Sequence, residues 1–268
     1  MNDKAQGTPG FYGKLPEHGD FLTRRLPAEF VQPWDLWLRE SLANSQAQLG
    51  DDWLDIYLTS PLWRFVLTSG IVGQHAWAGV LMPSVDRVGR YFPLTLACPL
   101  SAGTDLLGLL CEPSWFDRAE MLALTGLEGD CTVETFDAEA MALGAPDCAV
   151  LATGEQTSVA ASRSNAWRLP AASPAEVRLA CPNLLARALD QMFCAYSLWW
   201  SSGSDRVAPS FLTCQGLPPP DGFGALLGGD WTHGGWWEFA RSDVGPTRHG
   251  EQRQKRDVQS NPVDQEAP

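Results

Sequence analysis

A short segment near the N-terminus, residues 16–20, reads Pro-Glu-His-Gly-Asp and holds the residue types of acid–base chemistry. An imidazole beside carboxylates can act as a general base, so His18 with Asp20 could serve a hydrolase. Proline, glycine and aspartate are also the residues of a solvated turn. Because no nucleophile accompanies the cluster, the sequence favours the turn and keeps the hydrolase as an alternative.

The glycine-rich stretch from Gly7 to Lys14 matches a phosphate-binding loop only in part. Such a loop needs a Ser or Thr directly after its Gly-Lys pair to hold magnesium, whereas Leu15 follows here. The four histidines form neither an H-x-x-x-H nor an H-E-x-x-H pattern, and the seven cysteines form no C-x-x-C pair. The sequence therefore predicts no cofactor, no metal site and no catalytic residue.

Charged side chains remain as candidates, and they would act by binding. The formal net charge of −13 opposes association with nucleic acid or an anionic membrane and favours a protein partner. Arginine suits such a role because its planar guanidinium makes bidentate contacts to carboxylates. Each arginine could instead close an internal salt bridge, which is the role expected for Arg64. The candidate partner-binding residues are Lys14, Asp20, Arg24, Arg25, Asp86 and Arg90.

These residues need a framework, and apolar spacing predicts a sheet with helices. Strands are expected at 63–72, 75–84, 91–100, 196–204 and 209–217. The first three follow one another closely, which indicates an antiparallel meander. Helices are expected at 26–49 (interrupted by Pro33), 113–127, 133–143 and 182–196, the last with Pro182 in its first turn and a single apolar stripe.

Smaller features complete this framework. Residues 144–181 are expected to form a loop, and Asp221 is expected to start a short last helix. The tryptophan pairs at 199–200 and 236–237 would point to opposite faces if they lie on strands. One member of each pair would then be available to a helix, a loop or a partner.

The sum is one α+β domain over residues 8–240, in which helices flank a mostly antiparallel central sheet. Residues 241–268 contain no aromatic side chain, so we expect a disordered tail. No stretch is apolar for long enough to enter a membrane, and the N-terminus lacks the apolar region of a secretory signal. We therefore expect a cytoplasmic protein, whose oligomeric state the sequence leaves open.

Five ordered blocks of the chain resemble the TagF, or ImpM-like, family of accessory proteins of bacterial type VI secretion systems. The most specific pieces are Gly13–Pro16 with Gly19–Phe21, and the run from Pro83 to Leu94. The resemblance covers roughly residues 8–228, and we expect no fused phosphatase domain. The blocks read GFYGKLPEHGDFLTRRLP, FVQPWDLWL, SPLWRFVL, GVLMPSVDRVGRYFPLTL and YSLWWSSGS.

This resemblance implies a non-enzymatic, cytoplasmic regulator that represses assembly of the secretion system after translation. The implied partner is the forkhead-associated scaffold protein of the system. A structural accessory subunit of the machine is an alternative, beside the hydrolase. In the regulator interpretation, Phe11, Leu15 and Phe21 anchor the first block to the core, and its polar residues contact the partner.

Overall fold

Seven strands form one sheet in which every neighbouring pair is antiparallel. The computed structural model describes residues 7–129, 131–147 and 177–237. The spatial order of the strands is β2-β1-β5-β4-β3-β6-β7. The predicted meander is confirmed as β3, β4 and β5, each shorter than expected because its ends belong to turns. The strands are β1 (Gly10–Gly13), β2 (Leu22–Arg24), β3 (Trp63–Leu67), β4 (Trp77–Met82), β5 (Leu94–Pro99), β6 (Tyr196–Ser201) and β7 (Ser210–Gln215).

Helices cover both faces of this sheet because the central strands are apolar on both sides. Along β3, Phe65 and Leu67 join one core layer and Val66 joins the other. The first layer holds α1 (Ala28–Leu49), α2 (Trp53–Leu58) and α6 (Phe223–Gly228). The second holds α3 (Ser114–Thr125), α4 (Val133–Leu143) and α5 (Val177–Met192). The predicted α+β fold, with helices flanking a mostly antiparallel sheet, is confirmed.

The described chain through Trp236 forms one compact unit. Beyond it only Trp237 is described, so the predicted tail at 241–268 lies outside the described residues. Residues 148–176 of the predicted loop also lie outside them. Residues 144–147 form no helix or strand, whereas 177–181 belong to α5, so the loop prediction is wrong there.

Both helical prolines lie deeper in their helices than the sequence predicted. Helix α1 runs through Pro33 from Ala28, and α5 begins before Pro182, which is therefore not in its first turn. A proline there removes one backbone hydrogen bond, but packing of an amphipathic face can offset that loss. The predicted apolar stripe of α5 is covered at Leu189, whereas other apolar side chains of this helix, Leu184, Leu185 and Met192, are exposed.

Of three further expectations, one is confirmed and two meet a different outcome. Asp221 does not cap the last helix; its Oδ1 accepts a hydrogen bond of 2.6 Å from Asn44 and so ties this turn to α1. Trp199 and Trp200 point to opposite faces as expected: Trp199 is fully buried, and Trp200 packs against Phe116 of helix α3. Trp236 lies on no strand and donates to the carbonyl of Gly222 at 3.0 Å.

Candidate functional site

The two segments with the most specific motifs lie side by side. One is the turn at 14–21, between β1 and β2, and the other is the loop at 83–93, between β4 and β5. Because β5 pairs antiparallel with both β1 and β4, the turn and the loop leave the sheet at the same end. Ser84 Oγ donates to the carbonyl of Lys14 at 2.8 Å, which joins them directly. We call the two segments together the turn–loop site.

Gly13 permits this close approach. Its backbone φ of 134° is one that residues with a side chain rarely adopt. A Cβ at this position would also lie 2.1 Å from the carbonyl oxygen of Pro93. The Gly-Lys pair, which matches a phosphate-binding loop only in part, therefore serves the junction of β1 with the loop. The following residue, Lys14, is directed into the site.

A buried ion pair between Lys14 and Asp86 forms the centre of the turn–loop site. Their side chains are 3% and 0% exposed, respectively. Arg90 Nε donates to Asp86 Oδ2 at 2.6 Å, and the backbone amides of Val88 and Arg90 donate to Oδ1 at 3.0 and 2.8 Å. Burial alone raises the pKa of the Asp86 carboxyl, but these bonds outweigh it and hold the pKa well below its usual range.

This geometry corrects the prediction that Lys14 and Asp86 belong to an exposed polar surface. Both charges are buried, which is tolerable only because each has its partner. Arg90 has a double role, since it contacts Asp86 and the carbonyl of Gly19 while its side chain remains largely exposed. The ion network thus joins the loop to the turn.

Aromatic side chains pack around this network. Lys14 Nζ lies 4.8 Å from the ring centre of Phe21, which packs edge-on against Phe92 at 4.8 Å. The predicted core anchors Phe11 and Leu15 are buried, but Phe21 is 46% exposed and anchors the turn only in part. Below it, Tyr12 donates to Asp35 at 2.5 Å, and burial together with this carboxylate raises the pKa of the Tyr12 phenol.

Tyr57 of α2 fixes the start of the loop. Its hydroxyl donates to the carbonyl of Ser84 at 2.9 Å and accepts from the amide of Ser84 at 3.0 Å. Burial raises the pKa of the Tyr57 phenol. Its ring and that of Trp53 also contact Tyr91. No sequence signal indicates the bonds between Tyr57 and Ser84, because the two residues are 27 positions apart in the chain.

Arg24, the last residue of β2, and Arg25, which follows it, differ in their surroundings. Arg24 is exposed and donates only to the carbonyl of Thr23 within the described chain. Arg25 forms an ion pair of 2.6 Å with Asp137 of α4 and donates to the carbonyl of Pro9 at 2.7 Å. The internal salt bridge that the sequence left open is thus present for Arg25. The one expected for Arg64 is confirmed, with Asp117 and Glu120 as its partners.

The solvent-facing part of the turn–loop site combines charge with apolar area. Asp20 is exposed in the turn, and Arg87 has no side-chain bond to the described residues. We call this solvent-facing part the outer surface. Its members are Asp20, Phe21, Arg87, Val88, Arg90 and Tyr91.

The catalytic pairing that the hydrolase alternative requires is not formed. His18 lines a cleft of about 400 Å³ between the turn and the start of α4, together with Glu17, Arg24 and Glu134. Asp20 does not line this cleft, and no hydrogen bond joins it to His18 in the described chain. Within the described ranges, no three metal-ligating side chains converge. No described helix has the length and apolarity to cross a bilayer.

Comparison with known proteins gives the family. The domain family described as "TagF N-terminal domain, Type VI secretion system-associated" matches residues 10–143. The crystal structure of PA0076 from Pseudomonas aeruginosa PAO1 is similar, with 44% identity and a TM-score of 0.71 over 83% of this chain and 94% of that chain. No curated protein matches the chain. The chain therefore belongs to the TagF family of type VI secretion system-associated proteins, as the five sequence blocks predicted.

Proposed function

We propose that this chain is a non-enzymatic, cytoplasmic repressor of type VI secretion system assembly, which acts by binding the forkhead-associated scaffold protein of the system. Family membership supports the link to the secretion system. The observation that carries the proposal is the turn–loop site, where the most specific motif residues form a buried ion network beneath an exposed surface.

The construction of the site suits binding. The Lys14–Asp86 pair and the Tyr57 hydroxyl hold the loop from below, so little backbone freedom remains to be lost when a partner docks. The outer surface presents aromatic and arginine side chains, the types that contribute most to binding energy at protein interfaces. Phe21 and Tyr91 are exposed there although both pack on aromatic neighbours.

The charge of the site also indicates what it would bind. Arg87 and Arg90 project from a protein whose net charge is −13. A partner with an acidic patch is attracted to these arginines and steered away from the rest of the body. Such an interaction weakens as salt is added, because screening acts on exposed charges.

The direct test is calorimetry of the purified chain with the scaffold from the same bacterium, at two salt concentrations. We expect near-stoichiometric binding that weakens with salt. Arg87→Glu should raise the dissociation constant about tenfold or more, because it reverses a charge that holds no internal bond. Arg118→Glu makes the same charge change at an exposed position of α3 and should leave affinity unchanged.

Arg24→Glu tests whether the binding surface extends onto β2. If folded Arg87→Glu and Arg24→Glu both bind as tightly as the wild type, the turn–loop site is not the contact. If the wild type itself does not bind at micromolar protein, the scaffold is not the partner. Hydrolysis of an ester or phosphate substrate that is lost in His18→Ala would contradict the non-enzymatic part of the proposal.

A further inference from the structure

Strand β7 lies at one edge of the sheet and pairs only with β6 among the described strands. It is six residues long, so its outer side presents a row of backbone N–H and C=O groups. Such a row is a template for another extended strand. The backbone groups of this edge therefore suit a partner strand that extends the sheet.

The other edge of the sheet has features that prevent strand addition, which β7 lacks among the described residues. Strand β2 has only three residues and carries Arg24. It is followed by Arg25, whose φ of 56° turns the chain away, and by Pro27. Short length, charge and proline are the features that prevent edge-to-edge pairing. Between Ser210 and Gln215 there is no charged residue and no proline.

One face of β7 also carries uncovered apolar area. Leu212 and Cys214 pack in the α1 layer, which directs Phe211 and Thr213 to the opposite face. There, Trp200 of β6 lies directly opposite Phe211, and its ring packs on Phe116 of α3. Phe211 itself is 52% exposed. An apolar row thus runs across the sheet and ends uncovered at the open edge.

We propose that β7 pairs antiparallel with β7 of a second copy of this chain, so that two seven-stranded sheets become continuous across a two-fold axis. An edge strand is complementary to its own backbone pattern in this arrangement, and the interface is isologous. Because the strand is uncharged, no like charges are placed opposite one another despite the acidic body. The second Phe211 extends the apolar row, and the protected β2 edge limits assembly to a dimer.

The test is the oligomeric state of the full chain, measured by analytical ultracentrifugation over a wide concentration range. We expect the wild type to be a concentration-dependent dimer. Thr213→Lys should raise the dimer dissociation constant about tenfold or more, since it brings two ammonium groups to the shared edge. Thr23→Lys is the matched control, because Thr23 is equally an exposed threonine, on the protected edge strand β2.

Hydrogen exchange locates the contact. Amides of residues 210–215 should exchange slowly in the concentrated wild type and faster on dilution or in Thr213→Lys, while thermal melting confirms that the variant is folded. A wild type that stays monomeric at all concentrations overturns the proposal and leaves the edge to a strand of another protein. A Thr213→Lys variant that dimerises as tightly as the wild type also overturns it. Neither outcome depends on scaffold binding.

Discussion

Lys14 and Asp86 are 72 residues apart in the chain, and only the sheet brings their charges together. In the sequence each is a charged residue in a segment rich in glycine and proline, where exposure is the ordinary expectation. In the structure, the Asp86 carboxylate instead accepts hydrogen bonds from Lys14, from Arg90 and from two backbone amides. Isolated burial of either ion costs several kcal/mol, so the network must stay complete to be stable.

Lys14→Met keeps most of the side-chain volume and removes the charge. We expect it to lower the free energy of unfolding by about 3 kcal/mol, because the buried carboxylate loses a partner that water cannot replace. Urea denaturation measures this change. Arg39→Met removes an ion pair with Asp35 in which the arginine side chain is 64% exposed, and it should cost less than about 1 kcal/mol. Equal losses for the two variants would contradict a special contribution from the buried pair.

The candidate site could be predicted from sequence as two segments, but the role of each residue could not. The motifs marked the runs at 13–16, 19–21 and 83–94 as the most specific pieces of the resemblance, but they did not indicate that these runs lie side by side. Which charges are buried depends on the register of β1 against β5, and no local pattern encodes it. Arg25 illustrates the same limit, since its partner Asp137 lies on a helix that follows more than a hundred residues later.

At the scale of elements, local pattern and tertiary packing agree in the central strands and compete at the starts of two helices. The strands β3, β4 and β5 are buried runs bounded by glycines and prolines. Their apolar pattern and the residues that bound them therefore both indicate strands. Helices α1 and α5 instead continue across prolines that ordinarily mark a helix start. The apolar face of α1 packs on the sheet, and this tertiary stabilisation overrides the local preference of proline. In α5 the corresponding buried contact is made by Leu189.

Gly13, at the end of β1, and Gly89, in the loop, differ in why a side chain is unfavourable there. Gly13 has a φ of 134° and lies against Pro93, whereas Gly89 has a φ of 82° with open space around it. Gly13→Ala should therefore lower the free energy of unfolding by about 3 kcal/mol, from strain and a clash with backbone. Gly89→Ala should lower it by about 1 kcal/mol, from strain alone.

Chemical denaturation of both variants checks these values. A Gly13→Ala protein as stable as Gly89→Ala would mean that β1 can move away from Pro93 at little cost. That outcome would also weaken the idea that the turn–loop site is a rigid surface.

At the scale of the whole molecule, one sheet separates two core layers that differ in composition. Tryptophans are concentrated in the layer of α1, where Trp34, Trp77 and Trp199 are among the largest buried side chains. The layer of α3 and α4 contains Phe136, which packs edge-on against Phe11 at 5.0 Å. Because every central strand contributes to both layers, loss of one layer should expose the other.

Phe136→Ala tests this coupling. Removal of a fully buried phenylalanine should lower the free energy of unfolding by about 3 kcal/mol. Met141→Ala, at an exposed position of the same helix, should change it by less than about 0.5 kcal/mol. If the layers unfold as one, tryptophan fluorescence and far-UV circular dichroism shift to the same lower urea midpoint in Phe136→Ala. A fluorescence midpoint that stays at the wild-type value while the circular dichroism midpoint falls would show that the layers unfold separately.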